Sequence, residues 1–272
     1  MKLQVLVATM YQENLSIAER MNIKQNVIIA NQCNTWQYDE LQRDYGTVQM
    51  ISSATTGVGR NRNLALQLAQ ADILLFADDD VSYYDGTLQG VIDAFDELPD
   101  ADVIFFGLDI TNKGVVKAHH QDKKKRLHFW NSLKYGAPRM AVRRAAITES
   151  RITFSHLFGG GSLYGSGEDS LFILDCFRSG LNVYAHPYVL GTCAEDSSSW
   201  FTGYNEKYIF DIGAFVAAAF PNAKHFMKFY YIKKIYKKTN IPFRSILSYM
   251  NMGIAAYRQQ CTFSKMNRRK RI

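Results

Sequence analysis

Ala71-Asp72-Ile73-Leu74-Leu75-Phe76-Ala77-Asp78-Asp79-Asp80-Val81 decides how this chain is read, because an apolar strand ends abruptly in three consecutive carboxylates. Adjacent carboxylates repel one another, so keeping them ionised at the end of a buried strand favours a divalent metal or a strongly basic partner. Mg2+ or Mn2+ suits such a cluster. These hard ions take one or two protein carboxylates and fill their remaining positions with water and phosphate oxygens, which points to a nucleotide diphosphate nearby. Taken alone, the same residues also read as an acidic turn after a strand.

Upstream lies Thr55-Thr56-Gly57-Val58-Gly59-Arg60-Asn61-Arg62-Asn63-Leu64-Ala65-Leu66, a glycine-containing turn that runs into a helix. The unit reads as loop, helix, buried strand and acidic tip, which sets Arg62 and Asn63 where open α/β sheets hold ligands. A second loop, Gly159-Gly160-Gly161-Ser162-Leu163-Tyr164-Gly165-Ser166-Gly167, delivers Glu168-Asp169 to the start of an apolar helix. Acidic residues there serve equally as a helix N-terminus favoured by the dipole or as a positioned base.

Further strands are expected over Leu3–Ala8, Asn26–Ala30, Val48–Ser52, Ile73–Phe76 and Ala101–Leu108. Helices are expected over Glu13–Asn22, Arg62–Ala69 and Gly86–Leu98. The alternation argues for a mostly parallel sheet covered by helices. With 272 residues, 47% of them hydrophobic, the chain can bury a substantial core. Its four cysteines and six histidines are scattered without C-x-x-C or H-E-x-x-H spacing, so a zinc site has no support and a reducing cytosol is expected. The N-terminus reads as a strand and not as a signal peptide.

Arg62-Asn63-Leu64-Ala65, the Asp78-Asp79-Asp80 strand end and the glycine loop with Glu168-Asp169 together resemble the family 2 glycosyltransferases, over roughly residues 2 to 215. The resemblance implies an α/β fold of glycosyltransferase A type, a Rossmann-like central sheet flanked by helices, with a C-terminal helical basic extension. It implies a catalytic domain over 1–221, with a nucleotide-sugar-binding half (1–110) and an acceptor half (111–221), before a basic tail over 222–272. By the same resemblance Thr9 and Tyr11 hold the nucleotide, with Asn63, Asp78 facing the ribose and Asp79 in support. Asp80, with Asp78, contacts Mn2+ or Mg2+, and Arg62 neutralises the diphosphate. Many relatives carry an Asp after the second strand to read uracil; this chain has Asn31-Gln32, so Gln32 or Asn31 would do that work through an amide oxygen. Asp169 would take the acceptor proton and Glu168 would orient the acceptor or loop, as suits an oxocarbenium-like transition state.

The segment from Thr111 to Tyr135 interleaves seven Lys or Arg with His119, His120, Phe129 and Trp130. It reads either as a solvated face or as a segment that orders over an anionic acceptor. Trp200 reads as a stacking face for an acceptor sugar or as a core aromatic. Gln-x-x-Arg-Trp, usual in processive synthases of the family, does not occur, so addition of a single hexose is expected.

From Ile212 to Ile272 there are 13 Lys or Arg and no Asp or Glu, whereas the first 211 residues carry 19 basic and 25 acidic side chains. No apolar run in that segment approaches the roughly 18 to 20 residues of a spanning helix. A helical wheel sets Phe226, Phe229, Ile232 and Tyr236 opposite Lys224, Lys228, Lys234 and Lys238, and Leu247, Met250, Ile254 and Tyr257 repeat the spacing. Such a segment suits an anionic membrane surface. The expected partners are a nucleotide-sugar donor, a polyprenyl-diphosphate-linked saccharide and the cytoplasmic face of a bacterial membrane; the same helices also read as a pair packed on the catalytic domain. Nucleic acid is not expected, since no zinc finger, RNP-like strand or helix-turn-helix occurs. A sugar-nucleotide nucleotidyltransferase would share the sheet, but the first strand leads into Thr9-Met10-Tyr11-Gln12-Glu13-Asn14 without the glycine-rich loop of that class.

Overall fold

The computed structural model describes residues 1–112, 115–119, 122–194 and 202–270. These form two compact units, the first of residues 1–56, 60–154 and 172–196 and the second of 57–59, 155–171 and 197–272.

The strands of the first unit, in chain order, are β1 (Leu3–Met10), β2 (Asn26–Gln32), β3 (Gln37–Arg43), β4 (Gly46–Ser53), β5 (Ile73–Asp78), β6 (Val81–Tyr83), β7 (Val103–Asn112), β8 (Val115–His119), β9 (Lys125–Arg126), β10 (Met140–Arg143) and β11 (Val183–Ala194). They join one sheet in the order β3-β4-β2-β1-β5-β10-β7-β11-β6, with β8 on β7 and β9 on β11. From β4 to β5 the pairing is parallel. β10 then runs antiparallel to both β5 and β7, so the sheet is mixed and not mostly parallel. This four-residue strand follows directly on the turn Ala137–Arg139, where Pro138 fixes φ.

Strand alternation divides the core. Val5, Val7, Ile29 and Leu75 pack with Ile17 of α1 (Ile17–Arg20) and Val91 and Phe95 of a later helix, Thr87–Glu97. Leu6, Ile28, Leu74 and Phe76 pack on the other face with Ala65 of α2 (Val58–Leu68). Two buried faces explain why these strands read as continuous apolar runs. The helix Thr87–Glu97 is α3; α4 (Phe129–Ser132) and α5 (Arg144–Glu149) are short, and α6 (Glu168–Arg178) adds Phe172 and Ile173 to the second face.

The helix expected over Glu13–Asn22 is only the single turn α1. Asn14 Oδ1 accepts the Ser16 N–H at 2.9 Å, an Asx turn that competes with helix, and Asn22 ends the turn in the left-handed region at φ 54°. The edge strand β3 was absent from the expectation because Gln37-Tyr-Asp-Glu-Leu-Gln-Arg43 carries polar residues on both faces. Such a charged edge resists pairing with a second chain.

The second unit is helical. α7 (Glu206–Ala219) is buried almost all round, followed by α8 (Lys224–Tyr236), α9 (Phe243–Gln259) and α10 (Phe263–Lys270). α7 and α9 cross at two glycines: a Cβ on Gly253 would stand 1.9 Å from the Phe210 carbonyl oxygen, and one on Gly213 would stand 2.3 Å from that of Met250. Phe263 of α10 packs on Phe210 and Tyr249. The segment from 222 onward is therefore folded against α7, and the expected boundary at 221/222 falls inside this unit. Among the described residues no helix is long and apolar enough to cross a membrane.

Of the apolar face drawn by the helical wheel on α8, only Ile232 packs inward. Met227, Ile232 and Ile235 are buried, while Phe226, at 77% exposure, is open to solvent with Phe229, Tyr230 and Tyr236. Lys228, opposite the aromatics on the wheel, is buried and donates to Asn251 Oδ1 at 2.9 Å.

Candidate active site

Thr9, Asn31 and Asp78 lie at or next to the C-terminal ends of β1, β2 and β5, whose register pairs Thr9 with Asn31 and Ala8 with Asp78. Asn61 of α2 binds that edge through its side-chain amide, which donates to the carbonyls of Thr9 at 3.0 Å and Ala30 at 2.7 Å. Asn63 makes a two-way clamp: its amide donates to the Phe154 carbonyl and its Oδ1 accepts the Phe154 N–H, each at 2.8 Å. Asn63 thus ties the start of α2 to the backbone of Phe154.

Arg62 is 3% exposed, lies over the Phe154 ring and donates from Nη2 to Asp78 Oδ1 at 2.7 Å. This buried ion pair fixes Asp78. Thr9 Oγ1 donates to Asp79 Oδ2 at 2.5 Å, so Thr9 supports the acidic tip. Asp80 is exposed on its outer side, yet its carboxyl is held above the ordinary aspartate range, first by the protein that displaces water around it and then by the charge of Asp78. The Cys193 thiol of β11 hydrogen-bonds to it and partly offsets that effect.

Tyr11 is 66% exposed and adopts φ 54°, a left-handed backbone uncommon for an aromatic residue, with its N–H donating to the Gln32 carbonyl at 3.0 Å. Strain of this kind concentrates at ligand sites. Asn31 is buried, and its amide accepts from Gln12 N–H and donates to the Gln12 carbonyl and Ser52 Oγ, all at 2.9 Å, which uses both of its N–H groups. Gln32, next to it, donates from Nε2 to Met10 Sδ at 3.5 Å. Asn61 and Cys193 were missed by sequence reasoning. Asn61 stood in the quoted motif and could have been weighed; Cys193 is brought to the acidic tip only by the pairing of β11 with β6, which no local signal announces.

The Glu168-Asp169 pair opens α6 in the second unit. The loop before it is fastened by Gly159 N–H to the Tyr164 carbonyl and Val58 N–H to the Gly160 carbonyl, both at 2.9 Å. Gly159 has φ 103°, and a Cβ there would stand 2.8 Å from the Glu168 carboxyl carbon, so only glycine lets the Glu168 side chain lie against this loop. Trp200 and the segment around it lie outside the described residues, as do Lys113, His120 and the side chains of Lys117 and His119 in the basic segment.

Among the described residues no three His, Cys, Asp or Glu stand together as a metal cage. The donor set fits a hard ion held by few protein ligands. Asp78 Oδ1 and Asp79 Oδ2 already have partners, and Asp80, whose charge its neighbours destabilise, is the carboxylate a cation would relieve.

The model for "Glycosyl transferase family 2" matches residues 7–150. The fold is similar to S. aureus TarS 1–349 in complex with UDP-GlcNAc, with TM-score 0.62 and 16% identity over 97% of this chain and 93% of that one. It is similar to the same TarS segment in complex with UDP, with TM-score 0.61, 16% identity and the same coverage of each chain. A longer TarS structure gives TM-score 0.56 at 16% identity, covering 97% of this chain and 45% of that one. No curated protein matches the chain. At these identities the likeness bears on architecture: an A-type α/β sheet with a C-terminal helical extension.

Proposed function

The chain belongs to glycosyl transferase family 2 and is a glycosyltransferase, and on that premise we propose that it transfers one hexose, with inversion, from a nucleotide diphosphate sugar to an acceptor hydroxyl. The observation that carries this reading is the acidic tip of β5, where Arg62 fixes Asp78 and Thr9 fixes Asp79, leaving Asp80 as the destabilised carboxylate. A uridine donor is favoured because TarS, of similar fold, is seen with UDP and UDP-GlcNAc. Tyr11 offers its exposed ring to the base and Gln32 its amide.

Asp80, seconded by Asp78, would hold Mn2+ or Mg2+, which when bound supplies positive charge to the diphosphate leaving group. The buried Arg62 orients Asp78. Asp169 removes the proton from the acceptor oxygen as that oxygen attacks the anomeric carbon, and Glu168, held against Gly159, orients the loop. The acceptor is proposed to be a polyprenyl-diphosphate-linked saccharide of bacterial surface polysaccharide synthesis, met at the cytoplasmic face of the membrane. Supporting this is the chemistry of α8, whose exposed Phe226, Phe229, Tyr230 and Tyr236 stand among exposed Lys233, Lys234 and Lys237 on a segment without acidic residues.

Calorimetric titration with UDP and GDP, with and without Mn2+, tests the donor reading. UDP binding that needs the metal and weakens at least about tenfold in Asp80→Ala is expected. Binding of neither nucleotide by the intact chain would sink the assignment.

A further inference from the structure

A cavity of about 420 Å3 opens within the first unit, lined by Gln4 of β1, Asn26 of β2, Tyr38 of β3, Thr47 and Gln49 of β4 and Leu68 of α2. Gln4 stands five residues before Thr9 on β1, roughly 17 Å away at about 3.3 Å per residue, so the cavity lies toward the opposite end of the strand from the acidic tip. The register sets Gln4 beside Asn26 and Ile28 beside Gln49. With the alternation of each strand, Gln4, Asn26 and Gln49 therefore share one face of the sheet.

Each of these three amides is fixed at one atom and open at the other. Gln4 Oε1 accepts the Gln70 N–H at 3.0 Å, and Asn26 Oδ1 accepts the Thr47 N–H at 2.9 Å. Both bonds come from the backbone, so they hold the amide planes and leave Gln4 Nε2 and Asn26 Nδ2 as oriented donors. Gln49 is turned the other way. Its Nε2 donates to Tyr38 Oη at 3.0 Å and Glu40 Oε2 at 3.1 Å, which uses both hydrogens and leaves Oε1 as an acceptor. Among the described residues none of the three open atoms has a partner, and none is sealed from solvent.

The same cavity offers apolar surface, since Tyr38 is 56% and Leu68 44% exposed. Lys2 is its one charged lining residue, and Leu68 is the last residue of α2, where the helix dipole presents partial negative charge. An anion would meet that helix end, and a cation would meet Lys2 and two amide donors. An apolar ligand would desolvate the open amides without pairing them. A sugar ring satisfies every group: its hydroxyls both donate and accept, and its C–H face suits an aromatic ring.

We propose that this cavity is a second, non-catalytic saccharide site, which takes a neutral sugar with Gln4, Asn26 and Gln49 on its hydroxyls and Tyr38 on its C–H face. The chemistry of the site stands apart from the glycosyl-transfer reading. Its use rests on that reading, since holding a glycan at a second point raises the local concentration of its acceptor end.

Saturation-transfer NMR on the full chain tests the site, with cellobiose, maltose and chitobiose as saccharide probes and acetyl-tetraalanine amide as a peptide probe. The wild-type chain should saturate at least one disaccharide. Asn26→Asp keeps the acceptor for the Thr47 N–H and removes the open donor, and should weaken that probe about tenfold, the worth of one well-made hydrogen bond. Tyr38→Ala removes the exposed ring and should weaken it severalfold, with UDP affinity unchanged in both variants. No disaccharide bound by the wild type, undiminished binding in both variants, or binding of the peptide probe alone would overturn the proposal. Should Asn26→Asp melt early, Tyr38→Ala decides the matter. Failure of the wild type to bind UDP would sink the donor reading and leave the saccharide result standing.

Discussion

Arg62 shows how much one side chain can hold. It is buried, its guanidinium is committed to Asp78, and its plane lies over Phe154. Truncation in Arg62→Ala strands a carboxylate that is one-third exposed, so the cost should fall near the lower end for a broken buried pair, about 3 kcal/mol, read from urea unfolding. Asp169→Asn should leave that stability and UDP binding alone while lowering turnover by roughly 10²- to 10⁴-fold, measured in single-turnover transfer. Asp80 adds a pH signature. Because the folded chain holds this proton more tightly than an unfolded one, the ionised form lowers stability once pH rises past the ordinary aspartate range, and a bound cation restores it. Mn2+ with UDP should therefore raise the melting temperature more at pH 7 than at pH 4, and Asp80→Asn should abolish the difference. The Arg-Asn pair and the acidic run were legible in the sequence because the motif is local. That Asn31 is held by Gln12 and Ser52, or that Cys193 reaches Asp80, was not, because both depend on which strands lie side by side.

Among the elements, the crossing of α7 and α9 sets the sharpest constraint. The atom that a Cβ on Gly253 would strike is a backbone oxygen, which cannot swing aside as a side chain would. Gly253→Ala should force the helices apart and destabilise the chain by about 3 kcal/mol, the upper end for overpacking, as a lowered urea midpoint. The helical period of α8 and α9 was plain in the sequence, but the buried stripe of α8 was not. Aromatic and aliphatic side chains both recur at helical spacing there, and the Met227, Ile232 and Ile235 stripe is the one buried. Strands β1, β2, β4 and β5 were legible because both of their faces are buried; β3 and β10 were hidden by polar composition and by brevity.

For the whole molecule the governing fact is the segregation of charge, with 13 basic and no acidic residues after Asp211. The exposed aromatics of α8 stand on that same segment, and membrane association should be readable as co-sedimentation with vesicles. Binding to phosphatidylserine vesicles should fall with salt and weaken severalfold in Lys233→Glu/Lys237→Glu, whose side chains are exposed. Deletion from residue 222 would be a poor test, since it strips α9 from Gly213 and Phe263 from Phe210.

The backbone passes between the two units five times, at 56/57, 59/60, 154/155, 171/172 and 196/197. The second unit therefore cannot be inherited as one block of sequence: a chimaera that grafts another family member's C-terminal portion after residue 196 keeps this chain's residues 57–59 and 155–171 inside a foreign unit. Recombination at any single joint mixes two parentages in at least one of the units, and replacing the second unit alone means carrying three segments together.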